Sequence, residues 1–494
     1  MRNRILFMVG LLVLFGAGFI SCTESEKGAE PRVKRDKPLH VLLIVIDTLR
    51  ADHLSCYGYW RETSPNIDGL ADRGVKFTRS IAQSSWTAPS MVTMMTGQRL
   101  SSPRMDVPSD RPTMAGLFKD AGFRTGAWVA NELLTPVTGF ARGFDRWTGE
   151  KKWHMTKPPG RLDGIVDWLE ETKDDDTFTW VHFTDPHDPY EPPGSSRTTK
   201  QGKITDHQRG LIADAAERQS IEGTIGNQTA FIAGKVGLYD DEIHAVDQKV
   251  GTLVAALEKN GNLDDAIIVI TSDHGECLWE RTESDGRVKA KDKKRGEPAG
   301  IQHLLKQTHG DFVYQELVRV PLIIVAPGLE RGRVDGTVSE SLHLASTILK
   351  LADVNVDGVE QMMGGDLFGA DAPAGAYTMT RLGEAFIGED GWKLIWPTKV
   401  GAKDFDQELM LFDLNVDPNE WNNLAGEHPE RVAELKKRIE SRRENSLPKP
   451  SIDSQLAVME ANKDALNALG YAEQGHDVII EDEEEDEEED STKE

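Results

Sequence analysis

The stretch "LHVLLIVID", residues 39–47, decides the fold, because an almost continuous apolar run of this kind predicts a strand buried on both faces of a sheet. Two other segments have the same form, "TFTWVHFTD" at residues 177–185 and "DAIIVITSD" at residues 265–273. Segments with helical periodicity separate these strands. The alternation predicts a doubly wound, mostly parallel α/β sheet that is flanked by helices.

Each of these three strands ends in an aspartate: Asp47, Asp185 and Asp273. In open α/β sheets, ligands bind beyond the carboxyl ends of the strands, so we expect one site that is built from segments far apart in the chain. His274 follows Asp273 directly. Two carboxylates and one imidazole can hold a divalent metal, which makes this set a candidate metal site.

The stretch "TAPSMVTMMTG", residues 87–97, is typical of a helix start and stop. We interpret Thr87 as the N-cap, Pro89 as a residue of the first turn and Gly97 as the end of the helix. A helix N-terminus favours anions. Thr87 therefore either only caps the helix or also takes part in chemistry, in which case its hydroxyl could supply a further oxygen to the metal.

The first residues have the pattern of a secretory signal, with a basic start, an apolar stretch and Cys22 at its end. We interpret residues 1–22 as a lipoprotein-type signal peptide and residues 23–38 as a flexible tether. An ordinary signal peptide and an uncleaved anchor are the alternatives. The pattern predicts a lipid-anchored protein of the bacterial cell envelope, periplasmic or on the outer surface. We expect Cys56 and Cys277 to be free thiols, although an oxidising compartment would allow them to pair.

Three segments follow the tether. Residues 39–375 form the α/β domain, and short strand patterns with an amphipathic helix predict a small C-terminal α+β subdomain at residues 376–446. Residues 447–494 form a tail that ends in a disordered acidic run. The net charge of the whole chain is −26, which argues against nucleic acid as a partner.

The motifs together resemble those of the sulfatase family, a member of the alkaline-phosphatase-like superfamily, over about residues 39 to 440. They occur in the order and spacing of that family: "DTLRADHLSCYGY", "TSPNIDGLADRGVKFTRS", "WTAPSMVTMMTG", "HFTDPHDPY", "YDDEIHAVDQKVG", "VITSDHGE", "THGDFVYQELVRVPLIIVAPG" and "ELMLFDLNVDPNEWNNLA". The resemblance implies an alkaline-phosphatase-like fold and a metal-dependent hydrolase of sulfate esters.

The resemblance also implies a set of site residues. They are the metal ligands Asp47, Asp273 and His274, the nucleophile Thr87, and His187 and His309, which match residues that hold the sulfate oxygens or protonate the leaving group. In the family, the nucleophile position carries Cys or Ser, which is oxidised to formylglycine. A threonine is a secondary alcohol and cannot give that aldehyde, so no formylglycine is expected here.

Other positions also depart from the family. Met91 replaces an arginine, Thr48 replaces the second aspartate of the usual pair, and Asn131 stands near the place of a missing Lys and His pair. The family implies one Ca²⁺. With one carboxylate fewer, the remaining donors would also suit Zn²⁺ or Mn²⁺. This ligand set resembles that of related phosphoethanolamine transferases, which use a threonine alkoxide directly.

The sequence therefore predicts hydrolysis of a sulfate ester of a small molecule or glycan, with Thr87 as the nucleophile. A phosphoester hydrolase or a phosphoethanolamine-type transferase using Thr87 is the first alternative. A non-catalytic homologue that binds a carbohydrate or lipid is the second. A polar insertion at residues 280–300 is either a substrate lid or a surface ornament.

Overall fold

The structure is a computed structural model, which describes residues 37–149, 160–197, 202–218, 225–282, 305–369, 375–397, 409–461 and 463. The predicted signal peptide, nearly all of the tether, most of the polar insertion and the acidic run lie outside these residues. No helix within the described ranges combines the length and the hydropathy that are needed to cross a membrane.

The described strands are β1 (His40–Ile46), β2 (Val75–Ile81), β3 (Arg124–Val129), β4 (Arg146–Gly149), β5 (Thr177–Phe183), β6 (Ile267–Thr271), β7 (Cys277–Thr282), β8 (Leu305–Thr308), β9 (Arg319–Val325), β10 (Arg333–Glu340), β11 (Ala376–Met379), β12 (Gly383–Ile387), β13 (Trp392–Pro397) and β14 (Met410–Asp413). The described α-helices are α1 (Pro65–Arg73), α2 (Thr87–Thr96), α3 (Met114–Asp120), α4 (Gly160–Glu171), α5 (Asp206–Arg218), α6 (Ile225–Lys259), α7 (Gln315–Val318), α8 (Leu344–Leu351), α9 (Pro429–Glu444) and α10 (Ile452–Ala461).

Eight of these strands form the main sheet, in the order β10-β2-β9-β6-β1-β5-β3-β4. Strand β1 lies between β6 and β5 and runs parallel to both. Strand β9 is the exception, because it pairs antiparallel with β2 and with β6. The predicted mostly parallel α/β sheet is therefore confirmed, with one reversed strand that the sequence pattern does not distinguish.

Both faces of β1 are buried, which explains its continuous apolar run. Val41, Leu43 and Val45 face one hydrophobic core, to which α2, α3 and α8 contribute. Leu42, Ile44 and Ile46 face a second core, to which α1, α4 and α6 contribute. Helices on both faces hold β1 at the centre of the sheet, so the carboxyl end of β1 is a rigid place for a site.

The small sheet has the order β11-β12-β13-β14 and is antiparallel throughout. Helix α9 packs against β12 and β13. On the side toward the main domain, Lys393 of β13 lies 2.6 Å from the Glu420 carboxylate, and both side chains are fully buried. This ion pair joins the small sheet to the segment that follows β14.

Helix α6 is longer than the sequence pattern predicts. We expect a helix from about Leu238, but α6 begins at Ile225. The added part contains Gly226, Gly234 and Gly237, which lower intrinsic helix propensity and conceal the helix in the sequence. Burial of apolar side chains such as Ile232 on this part of the helix compensates for the glycines.

Both described cysteines are free thiols, Cys56 partly buried and Cys277 buried. This confirms the expectation that they do not pair. Cys277 opens β7, which pairs with β8 across the polar insertion.

Candidate active site

The site begins where two neighbouring strands end. Asp47 follows β1 directly, and Asp273 and His274 follow β6, so the adjacent carboxyl ends bring the three side chains together. His274 Nε2 lies 3.7 Å from Asp47 Oδ1 and 3.6 Å from Asp273 Oδ2. One donor atom of each residue lies within 4.8 Å of the others, and all three side chains are fully buried.

Hydrogen bonds at the back of this cluster fix which atoms face its centre. Asn131 Nδ2 donates to Asp47 Oδ2 at 2.9 Å, and the His274 amide donates to Asp273 Oδ1 at 2.9 Å. His274 Nδ1 donates to the Gly275 carbonyl at 2.8 Å, which leaves a lone pair on Nε2. Among the described residues, Asp47 Oδ1 and Asp273 Oδ2 are buried without a hydrogen-bond partner.

These three inward atoms fit a divalent cation. Buried carboxylate oxygens without donors are costly, and a cation at this point would satisfy both of them together with the imidazole lone pair. The Thr48 hydroxyl bonds to the backbone, where it donates to the Asp47 carbonyl at 2.7 Å. The candidate ligand set is therefore two carboxylates and one imidazole.

The pKa values of these groups reflect burial and crowding. Burial, and then the charge of Asp273, hold the pKa of Asp47 well above its usual range. Burial also acts to raise the pKa of Asp273, but His274 and His182 beside it outweigh burial and leave this pKa below its ordinary value. Burial lowers the pKa of His274 to about 4, so its imidazole is neutral at pH 7. A neutral imidazole is the form that binds metals.

Thr87 lies beside this cluster. Its Oγ1 is 3.1 Å from His274 Nε2, and the hydroxyl donates because Nε2 carries the lone pair. The predicted N-cap role is wrong by one residue: Trp86, with extended φ and ψ of −135° and 138°, is the N-cap, and Thr87 is the first helical residue. Neither Trp86 nor any other side chain makes a cap hydrogen bond there. The Thr87 hydroxyl thus faces the carboxylate cluster and not its own helix.

Helix α2 is itself tied to the cluster. Ser90 Oγ donates to the Asp273 carbonyl at 2.6 Å, which fixes the first turn of the helix against the loop after β6. The predicted end of the helix at Gly97 is confirmed, because Gly97 has a left-handed φ of 60° and its N–H bonds to the Thr93 carbonyl. The position of Thr87 is therefore set from both ends of one short, buried helix.

His187 and His309 stand next to the cluster, and both are partly buried. The ring centroid of His309 lies 4.6 Å from that of His274 and 4.9 Å from that of His187. Burial, and then the neighbouring His187, lower the pKa of His309 to about 3. His187 Nδ1 donates to the Asp188 carbonyl at 2.6 Å. The structure thus brings His309 next to His274 and His187 next to His309.

Asp185 does not join the metal cluster, although the sequence pattern predicts one site for all three strand ends. Its Oδ2 accepts a hydrogen bond from Lys249 of α6 at 2.7 Å. The pair fastens the loop that carries His187 to α6. Tyr190 of the same loop packs edge-on against Tyr239 of α6, with ring centroids 5.5 Å apart.

Two residues of the site are missed by the sequence reasoning. Glu276 Oε1 lies 3.3 Å from His309 Nδ1, and burial raises the pKa of Glu276 to about 7. His182 is buried in β5, with Nε2 3.7 Å from Asp273 Oδ2. The signal for His182 is one titratable residue within the largely apolar run of β5, which also contains Thr177 and Thr179. Glu276 falls inside the motif "VITSDHGE" but resembles an ordinary loop residue in sequence.

The comparisons with known proteins agree with this geometry. The Sulfatase family model matches residues 40–354. An N-acetylgalactosamine-6-O-sulfatase of Bacteroides thetaiotaomicron is 24% identical over 521 residues, which cover 84% of this chain and 96% of that protein.

Solved structures share the fold. A phosphonate monoester hydrolase from Silicibacter pomeroyi is 19% identical with a TM-score of 0.62, and the match covers 83% of this chain and 96% of the other. A protein solved in complex with its substrate D-glucosamine-2-N,6-O-disulfate is 20% identical with a TM-score of 0.60, and covers 83% and 98%. The family model matches more than half of this chain, and the strands of the chain end in the expected cluster. This chain therefore belongs to the sulfatase family.

Proposed function

We propose that the protein hydrolyses sulfate esters, with Thr87 as the nucleophile and a divalent metal held by Asp47, Asp273 and His274. The observation that carries the proposal is the 3.1 Å contact between Thr87 Oγ1 and His274 Nε2 inside a buried carboxylate cluster. A hydroxyl that only capped its helix would bond to a backbone amide of that helix, whereas this hydroxyl contacts a candidate metal ligand. The related N-acetylgalactosamine-6-O-sulfatase supports a sulfated sugar as the substrate class.

The family resemblance implies Ca²⁺. The two carboxylates and one imidazole, however, favour Zn²⁺ or Mn²⁺. Ca²⁺ takes six to eight oxygen ligands, whereas an imidazole beside two carboxylates suits a transition metal. When bound, such an ion supplies positive charge that lowers the pKa of a nearby hydroxyl and stabilises the charge of the ester oxygens. Thr87 is the fourth candidate ligand, because its Oγ1 lies beside the same imidazole.

The chain's own residues account for the bond changes. The Thr87 oxygen attacks sulfur, the ester S–O bond breaks, and the hydroxyl proton is transferred to the leaving oxygen. His187 and His309, whose rings lie next to each other and beside His274, are the groups that would carry that proton. Water then attacks sulfur, the S–O bond to Thr87 breaks, and the hydroxyl is restored. The positive end of α2 favours the charge that develops on Thr87.

Phosphate or phosphonate monoesters are the second candidate substrates. Thr87 and the imidazole in the ligand set favour them, and a phosphonate monoester hydrolase shares the fold. A phosphoryl transferase would use the same residues but pass the group to an acceptor alcohol and not to water.

Matched aryl esters test these alternatives. Purified full-length protein is assayed with 4-nitrophenyl sulfate and 4-nitrophenyl phosphate, before and after removal of metal by a chelator and re-addition of Zn²⁺, Mn²⁺ or Ca²⁺. We expect chelator-sensitive turnover with the sulfate as the better substrate. A higher rate with the phosphate would support the second candidate. Turnover that does not depend on metal would refute the proposed metal, and absence of turnover of both esters would refute the enzyme proposal.

We also propose that the protein is anchored by a lipid in the cell envelope, on the basis of residues 1–22. The support for it is the basic start, the apolar stretch and Cys22 in the sequence. Metabolic labelling with a palmitate analogue, compared between the wild type and Cys22→Ala, tests the anchor. Label in the wild type that is lost in the variant is the expected result.

A further inference from the structure

A groove of about 520 Å³ lies beside the first turns of α6, away from the metal cluster. We call it the α6 groove, and its chemistry comes from Trp60, Lys203, Ile204, Arg209, Ala230 and Ala233. Trp60 precedes α1, Lys203 and Ile204 precede α5, and Arg209 lies in the first turn of α5. The groove thus joins three segments that are distant in sequence.

The side chains around the groove combine an aromatic surface with positive charge. Trp60 is 53% exposed, which is unusual for so large an apolar side chain. Lys203 and Arg209 are exposed, and no acidic residue lines the groove among the residues described. Asp206 Oδ1 lies 3.9 Å from Arg209 Nε, but both side chains are exposed to water, so this ion pair is weak. In a chain of net charge −26, such a groove is suited to an anionic ligand.

The floor of the groove is apolar, and there the backbone at Gly202 packs closely against α6. The Gly202 amide donates to the Ala233 carbonyl of α6 at 2.7 Å. A Cβ at Gly202 would lie 2.5 Å from Val236 Cγ1, so only glycine permits this approach of the two backbones. Ile204 and Ala233 are 4% and 7% exposed. An apolar floor beside an exposed indole ring is suited to the apolar face of a sugar.

The groove lies on the same edge of the sheet as the active site. Helix α6 precedes β6, so its first turns extend beyond the carboxyl ends of the strands. Tyr239 of α6 donates to the Thr48 carbonyl at 2.7 Å, next to Asp47. Ala233 and Thr229 come six and ten residues earlier, which places them roughly 9–15 Å farther along the helix. That distance exceeds one sugar ring but is within reach of an oligosaccharide.

We propose that the α6 groove is a distal subsite for a sulfated oligosaccharide whose reacting sulfate is bound at Thr87. Trp60 stacks on the face of a sugar ring, and Lys203 and Arg209 bind a sulfate group of the same or the next unit. This inference rests on the proposed sulfate ester hydrolysis, and it restricts the substrate to a polymer or oligomer with more than one anionic group.

Binding and turnover are measured separately to test the subsite. Hexasaccharides derived from heparin, chondroitin sulfate and carrageenan are titrated by calorimetry into metal-loaded full-length protein that carries Thr87→Ala, which prevents hydrolysis. We expect at least one to bind, and Trp60→Ala or Arg209→Glu added to this background to weaken it on the order of tenfold. Arg331→Glu, an exposed arginine beside β10, is the matched control and leaves binding unchanged.

Turnover of 4-nitrophenyl sulfate by the single variants Trp60→Ala and Arg209→Glu distinguishes the two proposals. This small ester does not reach the groove, so its kcat/KM should equal that of the wild type. Equal hexasaccharide affinity in all variants, or no binding of any hexasaccharide, would overturn the subsite. Failure of the wild type to hydrolyse the aryl sulfate, with binding still lost in the groove variants, would refute the proposed reaction and leave the subsite intact.

Discussion

Asn131 is a single side chain that orients a candidate metal ligand, Asp47, through a hydrogen bond. Its amide donates to Asp47 Oδ2 and leaves Oδ1 to face the cluster, and the Leu133 amide in turn holds the Asn131 oxygen at 2.9 Å. An outer hydrogen bond of this kind fixes the orientation of a ligand and tunes its basicity. The site therefore depends on a residue that the sequence identifies only as a departure from the family.

Asn131→Ala should weaken metal binding about 10- to 100-fold, because Asp47 loses the donor that orients it. The measurement is a competition titration of Zn²⁺ against a chelating dye. Asn262→Ala is the control, since this amide is equally buried but bonds to His40 at the far side of the domain, and its metal affinity should match that of the wild type. Unchanged affinity in Asn131→Ala would contradict the assignment of Asp47 as a ligand.

His40 links stability to pH. Its Nε2 accepts from Asn262 Nδ2 at 2.7 Å, and its Nδ1 donates to Thr177 Oγ1 at 2.9 Å, so both ring nitrogens are used by the neutral form. Burial lowers the pKa of His40 below 6.5. The unfolded chain therefore takes up the proton first, and the stability contributed by neutral His40 is present above pH 6.5 and lost as the pH falls below it.

The expected result is a fall in Tm between pH 7.5 and 5.5 that is smaller in His40→Gln than in the wild type. Thermal unfolding followed by circular dichroism across this range gives the comparison. Identical pH dependence in the two proteins would show that His40 is not a source of the acid sensitivity.

At the scale of elements, α2 determines the position of Thr87, the proposed nucleophile. Its ten residues are all buried, its first turn is fixed by Ser90, and its end depends on the left-handed conformation of Gly97. The segment that follows passes close to Met362, whose side chain lies 3.0 Å from a Cβ built on Gly97. A change at Gly97 therefore combines backbone strain with a clash.

Gly97→Ala should lower the free energy of unfolding by more than about 1 kcal/mol, because Ala tolerates a positive φ poorly. Urea denaturation measures the effect. Gly69→Ala in α1 is the control, since no atom lies within 4 Å of the added methyl group, and there the free energy should rise by about 0.5–1 kcal/mol. Equal shifts in the two variants would contradict the role given to Gly97.

The elements also show which signals the sequence carries. The hydrophobic pattern predicts β1, β5 and β6 well, because strands buried on both faces leave a continuous apolar run. The pattern does not predict the first turns of α6. Glycines lower the helix propensity there, and the helix forms because its apolar side chains pack against the domain. The pattern also does not reveal that β9 is antiparallel, because strand direction depends on the path of the connecting chain and not on the composition of the strand.

At the scale of the molecule, a buried ionic contact connects the small sheet to the rest. Lys393 and Glu420 are fully buried 2.6 Å apart, and Glu420 also accepts from the Gln315 amide at 2.6 Å. Arg281 pairs with Glu316 at 2.7 Å and donates to the Glu420 carbonyl. The network joins β7, α7 and the small sheet. Loss of one of its charged side chains would therefore leave a buried charge of opposite sign without its partner.

Lys393→Met should destabilise the protein by about 3 kcal/mol, because it leaves the buried Glu420 charge without its main partner. The double variant Lys393→Met with Glu420→Gln should lose less free energy of unfolding than the two single variants lose together. Guanidinium unfolding of all four proteins gives the coupling. Additive losses would contradict a direct interaction between the two side chains.

The candidate site could be predicted in its parts but not in its arrangement. The motifs point to Asp47, Thr87, Asp273 and His274. The parallel pairing of β1 with β6 brings the two aspartates and His274 together, and α2 places Thr87 beside His274. The sequence does not show that Asp185 turns away to Lys249, since both outcomes follow from a strand that ends in aspartate. The groove beside α6 is also hidden in the sequence, because it is made by three distant segments.

If the Thr87 oxygen attacks the ester, a covalent adduct forms on the enzyme during turnover. Metal-loaded protein is mixed with 4-nitrophenyl sulfate, quenched in acid within the first turnovers, digested and analysed by peptide mass spectrometry. We expect a sulfuryl group on Thr87, in the peptide that spans residues 80–99, and none in Thr87→Ala, which should also lose turnover. Full turnover by Thr87→Ala, or an adduct on a different residue, would contradict attack by Thr87.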